Sequence, residues 1–178
     1  NAINHGVLTP LGIEEAAETG KSILFLLEAN PAPGTGLLLA YMVFGRGVAR
    51  ATAPGAAIIV FFGGIHEVFF PYVLMRPRLI LATIAGGMTQ IFINVLFSTG
   101  LRGPAAPGSI FAIAAQTPPG DFLGISLSVI GGITVSFLVA GFLLKTDKGD
   151  WSDGALAVAT QSMSEMRAKG KDAVPVTS

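Results

Sequence analysis

The sequence predicts an all-α integral membrane protein: several membrane-crossing helices, with broken or re-entrant segments around Asn30–Gly34 and Gly63–Pro71. Composition supports this fold class, since 51% of the 178 residues are hydrophobic, only 12% are charged, and mean hydropathy is +0.66. An ordinary soluble domain carries about 25% charged residues. Two long uncharged runs, and two apolar segments interrupted by proline or glycine, are the other observations that favour a multi-pass membrane protein.

The two uncharged runs predict membrane-spanning helices. Leu79 to Leu101 and Phe122 to Leu144 each hold about 23 residues, which is long enough to cross a hydrocarbon core as a helix. Arginines flank the first run, and Lys145 and Lys148 follow the second. Because basic residues accumulate on the cytoplasmic side, we expect the chain to leave the last span on that side.

The segment from Ser22 to Phe44 and the segment from Phe61 to Met75 are apolar but cannot form continuous helices. The first contains NPAPG, and each proline lacks an N–H and restricts the residue before it. The second has two glycines before His66 and a proline after Glu67. Broken backbone at membrane depth is tolerated where it is buried in protein or lines a watery cavity, and paired breaks are typical of transporter substrate sites.

The remaining parts of the chain have other compositions. The stretch from Arg102 to Asp121 is too short and too rich in proline to span, and it predicts a re-entrant or extramembrane loop. From residue 147 onward both signs of charge are common, so we expect a membrane-embedded region over 1–146 and a cytoplasmic tail over 147–178. A modest helix is predicted over 153–169, and the start at Asn1 indicates a piece of a longer protein.

Several function classes lack support in the residues. The formal net charge is zero and no basic stripe occurs, which argues against a nucleic-acid partner. The chain has no cysteine and shows no phosphate-binding loop, nucleophile elbow or HExxH pair, so no catalytic residue and no cofactor are predicted. Two histidines without a recurring spacing also give little support for a metal site.

Ionisable residues within the apolar segments are the candidate functional residues. A charge at the bilayer centre costs at least about 2.5 kcal/mol, so such groups tend to be paired, to face a cavity or to act in function. Glu67 and Glu28 could each bind two vicinal hydroxyls of a sugar or polyol through their two oxygens, or could instead only fix the neighbouring loop. His66 and His5 could contact the same solute, form a proton relay with the glutamates, or be structural.

Four stretches resemble the membrane-embedded IIC component of the mannitol-specific enzyme II of the bacterial phosphoenolpyruvate-dependent sugar phosphotransferase system. The likeness extends over about 1–146, and its most specific part is GIHE with the continuation FPYVLM. The stretches are NHGVLTPLGIEEA, LLEANPAPGTGLLLAYMVFGRG, GGIHEVFFPYVLMRPRLILA and PGSIFA. The resemblance identifies the chain as the second half of such a component.

The resemblance implies a function and a set of partners. It implies binding of mannitol or a related hexitol, movement across the bacterial inner membrane, and phosphorylation by a cytoplasmic IIB domain, with IIB and IIA domains as partners in a homodimeric protein. Since phosphoryl transfer by the IIB domain needs a cysteine, this chain cannot transfer phosphate alone. The implied substrate-binding residues are Glu67, His5, His66, Asn4, Glu28 and Asn30. An ion- or proton-coupled polyol carrier and a membrane subunit without a ligand remain as alternatives.

Overall fold

The computed structural model describes residues 3–146, and its regular structure is helical apart from one antiparallel bridge between Ser22 and Leu101. A π-helical turn, Asn4–Leu8, precedes the first α-helix. The predicted tail helix over 153–169 lies outside the described residues, and the division at residue 146 stays a prediction. The helices are, in chain order, α1 (Thr9–Thr19), α2 (Phe25–Glu28), α3 (Ala32–Phe44), α4 (Gly47–Ile58), α5 (Phe70–Met75), α6 (Ile80–Leu96), α7 (Ile110–Gln116) and α8 (Phe122–Thr146).

Within residues 3–146, two helices are long and apolar enough to cross a membrane: Pro77–Leu96, which is α6 with the 3-10 turn before it, and α8. Both coincide with the predicted spans, and the fold class of an all-α membrane protein is confirmed. Their outer faces carry large apolar side chains, with Phe92 and Phe142 each 67% exposed in this chain. Such faces suit contact with lipid or with another apolar helix.

The first span ends earlier than its composition indicates. α6 stops at Leu96, five residues before the end of the uncharged run at Leu101. The backbone N–H of Thr99 donates to the carbonyl oxygen of Asn94 at 2.9 Å, and Ser98 takes a φ of 50°. Because a residue in the left-handed region interrupts the helical series, the chain turns here although every side chain in the run is uncharged.

Helices α3, α6 and α8 form the centre of the structure, and small residues bring their backbones close together. A Cβ on Gly86 of α6 would lie 2.7 Å from the Cβ of Ser136 and 2.8 Å from the carbonyl oxygen of Gly132, both in α8. The hydroxyl of Ser136 donates to the carbonyl oxygen of Pro33 at 2.7 Å. Close backbone approach through small residues, with a buried hydroxyl satisfied across the interface, is typical of membrane helix packing.

The first predicted break lies between α2 and α3. α2 ends at Glu28, Ala29 has a ψ of 73°, and α3 begins at Ala32. The break therefore covers residues 29–31 and overlaps the start of the region predicted around Asn30–Gly34. Pro33 does not interrupt the helix because it occupies the first turn of α3, where a backbone N–H has no intrahelical partner.

The second predicted break follows α4. α4 continues into a π-helical turn, Ile59–Gly63, and Gly64 then takes a φ of +70°. A 3-10 turn, His66–Phe69, leads into α5, and Pro71 lies in the first turn of that helix. The predicted interruption around Gly63–Pro71 is thus observed, because a glycine in the left-handed region ends the helical series at Gly64.

An ion pair joins the start of the chain's apolar part to the start of α8. The Nζ atom of Lys21 lies 2.8 Å from both carboxylate oxygens of Asp121, whose side chain is 11% exposed. Asp121 also accepts a hydrogen bond from the backbone N–H of Gly100 at 3.0 Å. Beside it, the N–H groups of Ser22 and Leu101 donate to each other's carbonyl oxygens. Three distant parts of the chain are therefore fixed together here.

Candidate functional site

His66 is held where the second break meets the loop before α7. It is the first residue of the 3-10 turn, and its Nε2 atom lies 3.3 Å from the carbonyl oxygen of Gly108. Since a carbonyl oxygen only accepts, Nε2 donates in this hydrogen bond, and Nδ1 of the neutral ring is the acceptor. The tight turn fixes the backbone of His66, and the contact with Gly108 fixes its ring.

Gly108 is the position where both breaks and this loop converge. A Cβ on Gly108 would lie 2.9 Å from Cε1 of His66 and 3.0 Å from the Cα of Ala29. A Cβ on Gly64 would lie 2.6 Å from the backbone nitrogen of Ser109 and 2.8 Å from that of Gly108. Only glycine allows the three segments to approach so closely, and the stretch PGSIFA is therefore part of the site's framework.

The carboxylates of Glu28 and Glu67 belong to the same neighbourhood. Both are close enough to His66 for their negative charges to act on its ring, and His66 itself is partly buried. Within residues 3–146, neither carboxylate has a hydrogen-bond or ion-pair partner. The structure thus brings Glu28, His66 and Glu67 together and leaves the two carboxylates available to a solute.

Both glutamates are exposed in this chain, whereas the apolar sequence around them indicates burial. They are exposed because Glu28 is the last residue of α2 and Glu67 lies in the 3-10 turn. Each side chain therefore projects from a break and not from the middle of a packed helix. Carboxylates at such positions keep contact with water. They lie beside the buried core and not within it.

Asn30 occupies the first break itself and is partly buried. Its Oδ1 atom is buried without a hydrogen-bond partner among the described residues, and its Nδ2 atom lies 4.0 Å from the position a Cβ would take on Gly87 of α6. The amide therefore lies between the first break and α6. Its unpaired oxygen makes it available to a polar ligand that reaches this side of the break.

The other two predicted residues are not joined to this group. His5 is exposed in the π-helical turn before α1, and in the described part of the chain no hydrogen bond or ion pair links it to Glu28, His66 or Glu67. The side chain of Asn4 lies outside the described residues. The assignment of all six residues to one binding site stays a prediction.

Two further features escaped the sequence analysis. Gly108 lies in the stretch PGSIFA, but the sequence predicts no role for it. Gln90 of α6 is fully buried, and neither its Nε2 nor its Oε1 atom has a partner within residues 3–146. Gln90 could have been identified as a polar residue within a predicted membrane span. It was not identified because it is uncharged, and only charged residues were considered there.

Among the residues that the structure describes, no three or more histidine, cysteine, aspartate or glutamate side chains form a group that could hold a metal ion. The candidate site therefore consists of two carboxylates, an imidazole and an amide. These groups accept and donate hydrogen bonds, which suits recognition of a hydroxyl-rich solute.

The chain is similar to several known proteins over nearly its whole length. It is 58% identical to the PTS system mannitol-specific EIICBA component of Vibrio cholerae over 174 residues, covering 96% of this chain and 27% of the relative. It is 55% identical to the PTS system mannitol-specific EIICB component of Bacillus subtilis, covering 97% of this chain and 36% of the relative. The corresponding values for the EIICBA component of Escherichia coli are 54%, 99% and 28%.

These matches extend over nearly all of the chain, which spans about a quarter to a third of the length of the three relatives. No family model matches the sequence, and no solved structure matches it.

Proposed function

We propose that this chain binds mannitol and forms part of the path by which mannitol crosses the bacterial inner membrane. The reason is that the chain belongs to the family of mannitol-specific components of the phosphotransferase system. The observation that supports the proposal best is the convergence of both helix breaks at Gly108 and His66, with the unpaired carboxylates of Glu28 and Glu67 beside them. Mannitol is a chain of vicinal hydroxyls, and one carboxylate can accept hydrogen bonds from two of them.

The chain acts in this proposal with partners that it does not contain. Relatives named EIICB and EIICBA carry B, or B and A, components together with the C component. We assign phosphorylation of the transported mannitol to a cytoplasmic B component, since this chain has no cysteine to accept a phosphoryl group. Lys145 and Lys148 orient the end of α8 toward the cytoplasm. The intact multi-pass protein is proposed to be a homodimer in the lipid bilayer.

Within the site, each group has a proposed role. Glu67 binds the sugar hydroxyls directly, and His66, fixed by Gly108, keeps the second break in the geometry that presents Glu67. Glu28 and Asn30 line the site from the first break, and His5 and Asn4 contribute from the turn before α1. An ion- or proton-coupled carrier is not favoured, because the relatives are named components of the PTS system.

Glu67→Gln tests the direct role of the carboxylate. The variant is made in the intact permease that contains this chain, and equilibrium binding of radiolabelled mannitol is measured on membranes. Losing a charge-assisted hydrogen bond of about 1.5 to 3 kcal/mol should weaken affinity at least about tenfold. Glu18→Gln, the same chemical change at an exposed position near the end of α1, is the control and should bind normally.

Unchanged affinity in Glu67→Gln, with normal insertion, would remove Glu67 from the site. Absence of mannitol binding by the wild-type permease would overturn the assigned substrate. If another hexitol binds more tightly than mannitol, the role of the carboxylate stands and only the preferred ligand changes.

Gly108→Ala tests the convergence of the three segments. The added methyl group would lie 2.9 Å from His66 and 3.0 Å from the backbone of Ala29, so the site must open to admit it. We expect mannitol affinity to fall by about tenfold, which corresponds to the lower part of the 1–3 kcal/mol range for overpacking. The measurement is the same binding assay, with insertion checked by the amount of protein in the membrane.

Gly103→Ala is the matched control in the same loop. There the nearest atom to the added methyl group is the end of a flexible side chain, Oε1 of Gln116, at 3.4 Å. This variant should bind mannitol like the wild type. Equal losses in both variants would show that the loop tolerates no change anywhere, and the special role of Gly108 would then be wrong.

A further inference from the structure

Gln90 is an unusual residue for its position in the core. It is 0% exposed in α6, and both polar atoms of its side chain lack a hydrogen-bond partner within residues 3–146. A buried polar group without a partner is destabilising, and native proteins keep few of them. A leucine at this position would fill similar volume without that cost, so the structure alone gives no reason for an amide.

The location of Gln90 connects it to the candidate site. A Cβ on Gly132 of α8 would lie 3.2 Å from the Cβ of Gln90 and 3.1 Å from the Cβ of Ala32, the first residue of α3. Gln90 is therefore at the junction of α6, α8 and the end of the first break. Gly87 lies just under one helical turn earlier in α6 and is the residue beside which the amide of Asn30 lies.

Two amides with unpaired polar atoms thus lie near the first break, both beside or on α6. Asn30 is partly buried and belongs to the break, whereas Gln90 lies behind it in the core. The oxygen of Asn30 and both polar atoms of Gln90 are buried without partners. A carboxamide offers two N–H donors and a carbonyl acceptor, which match the donor and acceptor character of a hydroxyl group.

Asn94 shows what a structural amide looks like on the same helix face. It lies four residues after Gln90 and is also 0% exposed, but its Oδ1 atom accepts a hydrogen bond from the hydroxyl of Thr99 at 2.9 Å, and only its Nδ2 atom is buried without a partner within residues 3–146. That bond fixes the turn after α6. Gln90 has no comparable bond, so its amide has no corresponding structural role.

We infer that Gln90 is a polyol-binding residue of the translocation site, its carboxamide pairing with a hydroxyl of the bound polyol behind the first break. The inference rests on the proposed function and adds to it a residue outside the predicted set. Because Gln90 is fully buried, a polyol that contacts it is enclosed by the break, whose residues Asn30 and Pro31 belong to no helix. Contact with the polyol satisfies the amide that the protein leaves unpaired.

Gln90→Leu in the intact permease tests this role through two measurements. The first is the affinity for radiolabelled mannitol, and the second is the melting temperature of the purified protein without ligand. We expect affinity to fall about three- to tenfold, since one neutral hydrogen bond is lost. The melting temperature should stay the same or rise, because the substitution removes an unsatisfied buried amide.

Asn94→Leu is the matched control, the same change of amide to leucine one turn further along the helix. It should lower the melting temperature, because Thr99 loses its acceptor, and leave the affinity of the folded protein unchanged. Gln90→Met replaces the amide with an unbranched apolar side chain. It shows whether a failure of Gln90→Leu to fold arises only from the shape of leucine.

The outcomes separate the two proposals. Normal mannitol affinity in folded Gln90→Leu or Gln90→Met, while the wild type binds, overturns the role of Gln90 and leaves the proposed function intact. Failure of both variants to fold shows that the amide is structural and also overturns that role. A wild-type permease that binds no mannitol overturns the proposed function, and the inference with it.

Discussion

Replacing Gly36 with leucine should prevent the intact permease from reaching its folded state. A Cβ at this position in α3 would overlap the carbonyl oxygen of Ile133 and lie 2.7 Å from the Cβ of Ser136 and 3.0 Å from the backbone nitrogen of Phe137. Two of these three atoms are backbone atoms of α8 and cannot move aside by a change of rotamer. α3 and α8 must therefore separate along part of their interface, which would also break the hydrogen bond from Ser136 to Pro33.

The expected loss of stability exceeds about 3 kcal/mol, the upper end of what overpacking usually costs, because a leucine adds more than the methyl group that already collides. The measurement is the fraction of purified permease that elutes as a folded species, followed by its melting temperature. Gly55→Leu is the control, since a Cβ on Gly55 of α4 meets nothing within 4 Å. That variant should melt at the same temperature as the wild type or higher, because leucine favours a helix by nearly 1 kcal/mol over glycine. Similar behaviour of the two variants would contradict the packing of α3 on α8.

The spans and the breaks could be predicted because each has a local cause. A run of apolar residues long enough to cross the bilayer produced α8 almost as predicted, with two further residues at its end. The sequence NPAPG produced the first break, since proline removes a donor wherever it stands. The break lies at the start of that motif, because Pro33 is compatible with the first turn of a helix.

Features that depend on contacts between distant residues could not be predicted. α1 and α4 have mixed composition and were not identified as helices, and α4 even contains Pro54. The role of Gly108 arises from His66 and Ala29, which are 42 and 79 positions away. Gln90 lies in an uncharged run that predicted its helix correctly, yet the absence of a partner for its amide is a property of the packed structure. The candidate site was found in part because GIHE resembles a known motif.

Asp121→Ala should destabilise the permease by about 3 kcal/mol, the lower end of the range for removing one member of a buried ion pair. The lower end applies because the side chain of Lys21 is 34% exposed and keeps part of its hydration. Asp121 has two roles at once: it pairs with Lys21, and it accepts the N–H of Gly100, which stays buried in the variant without that acceptor. The loss should appear as a lower melting temperature of the purified permease.

Lys21→Met separates the two roles of Asp121. It removes the ion pair and keeps the hydrogen bond from Gly100, but it leaves the carboxylate of Asp121, only 11% exposed, without a counter-charge, so it should cost at least as much as Asp121→Ala. Exchanging the two residues, Lys21→Asp with Asp121→Lys, restores opposite charges but leaves the N–H of Gly100 facing a cation, and it should not restore the melting temperature. Full recovery in the exchanged protein would show that Asp121 acts through charge alone. Partial or no recovery supports the arrangement in which one carboxylate joins α8 to the turn after α6 and to the chain before α2.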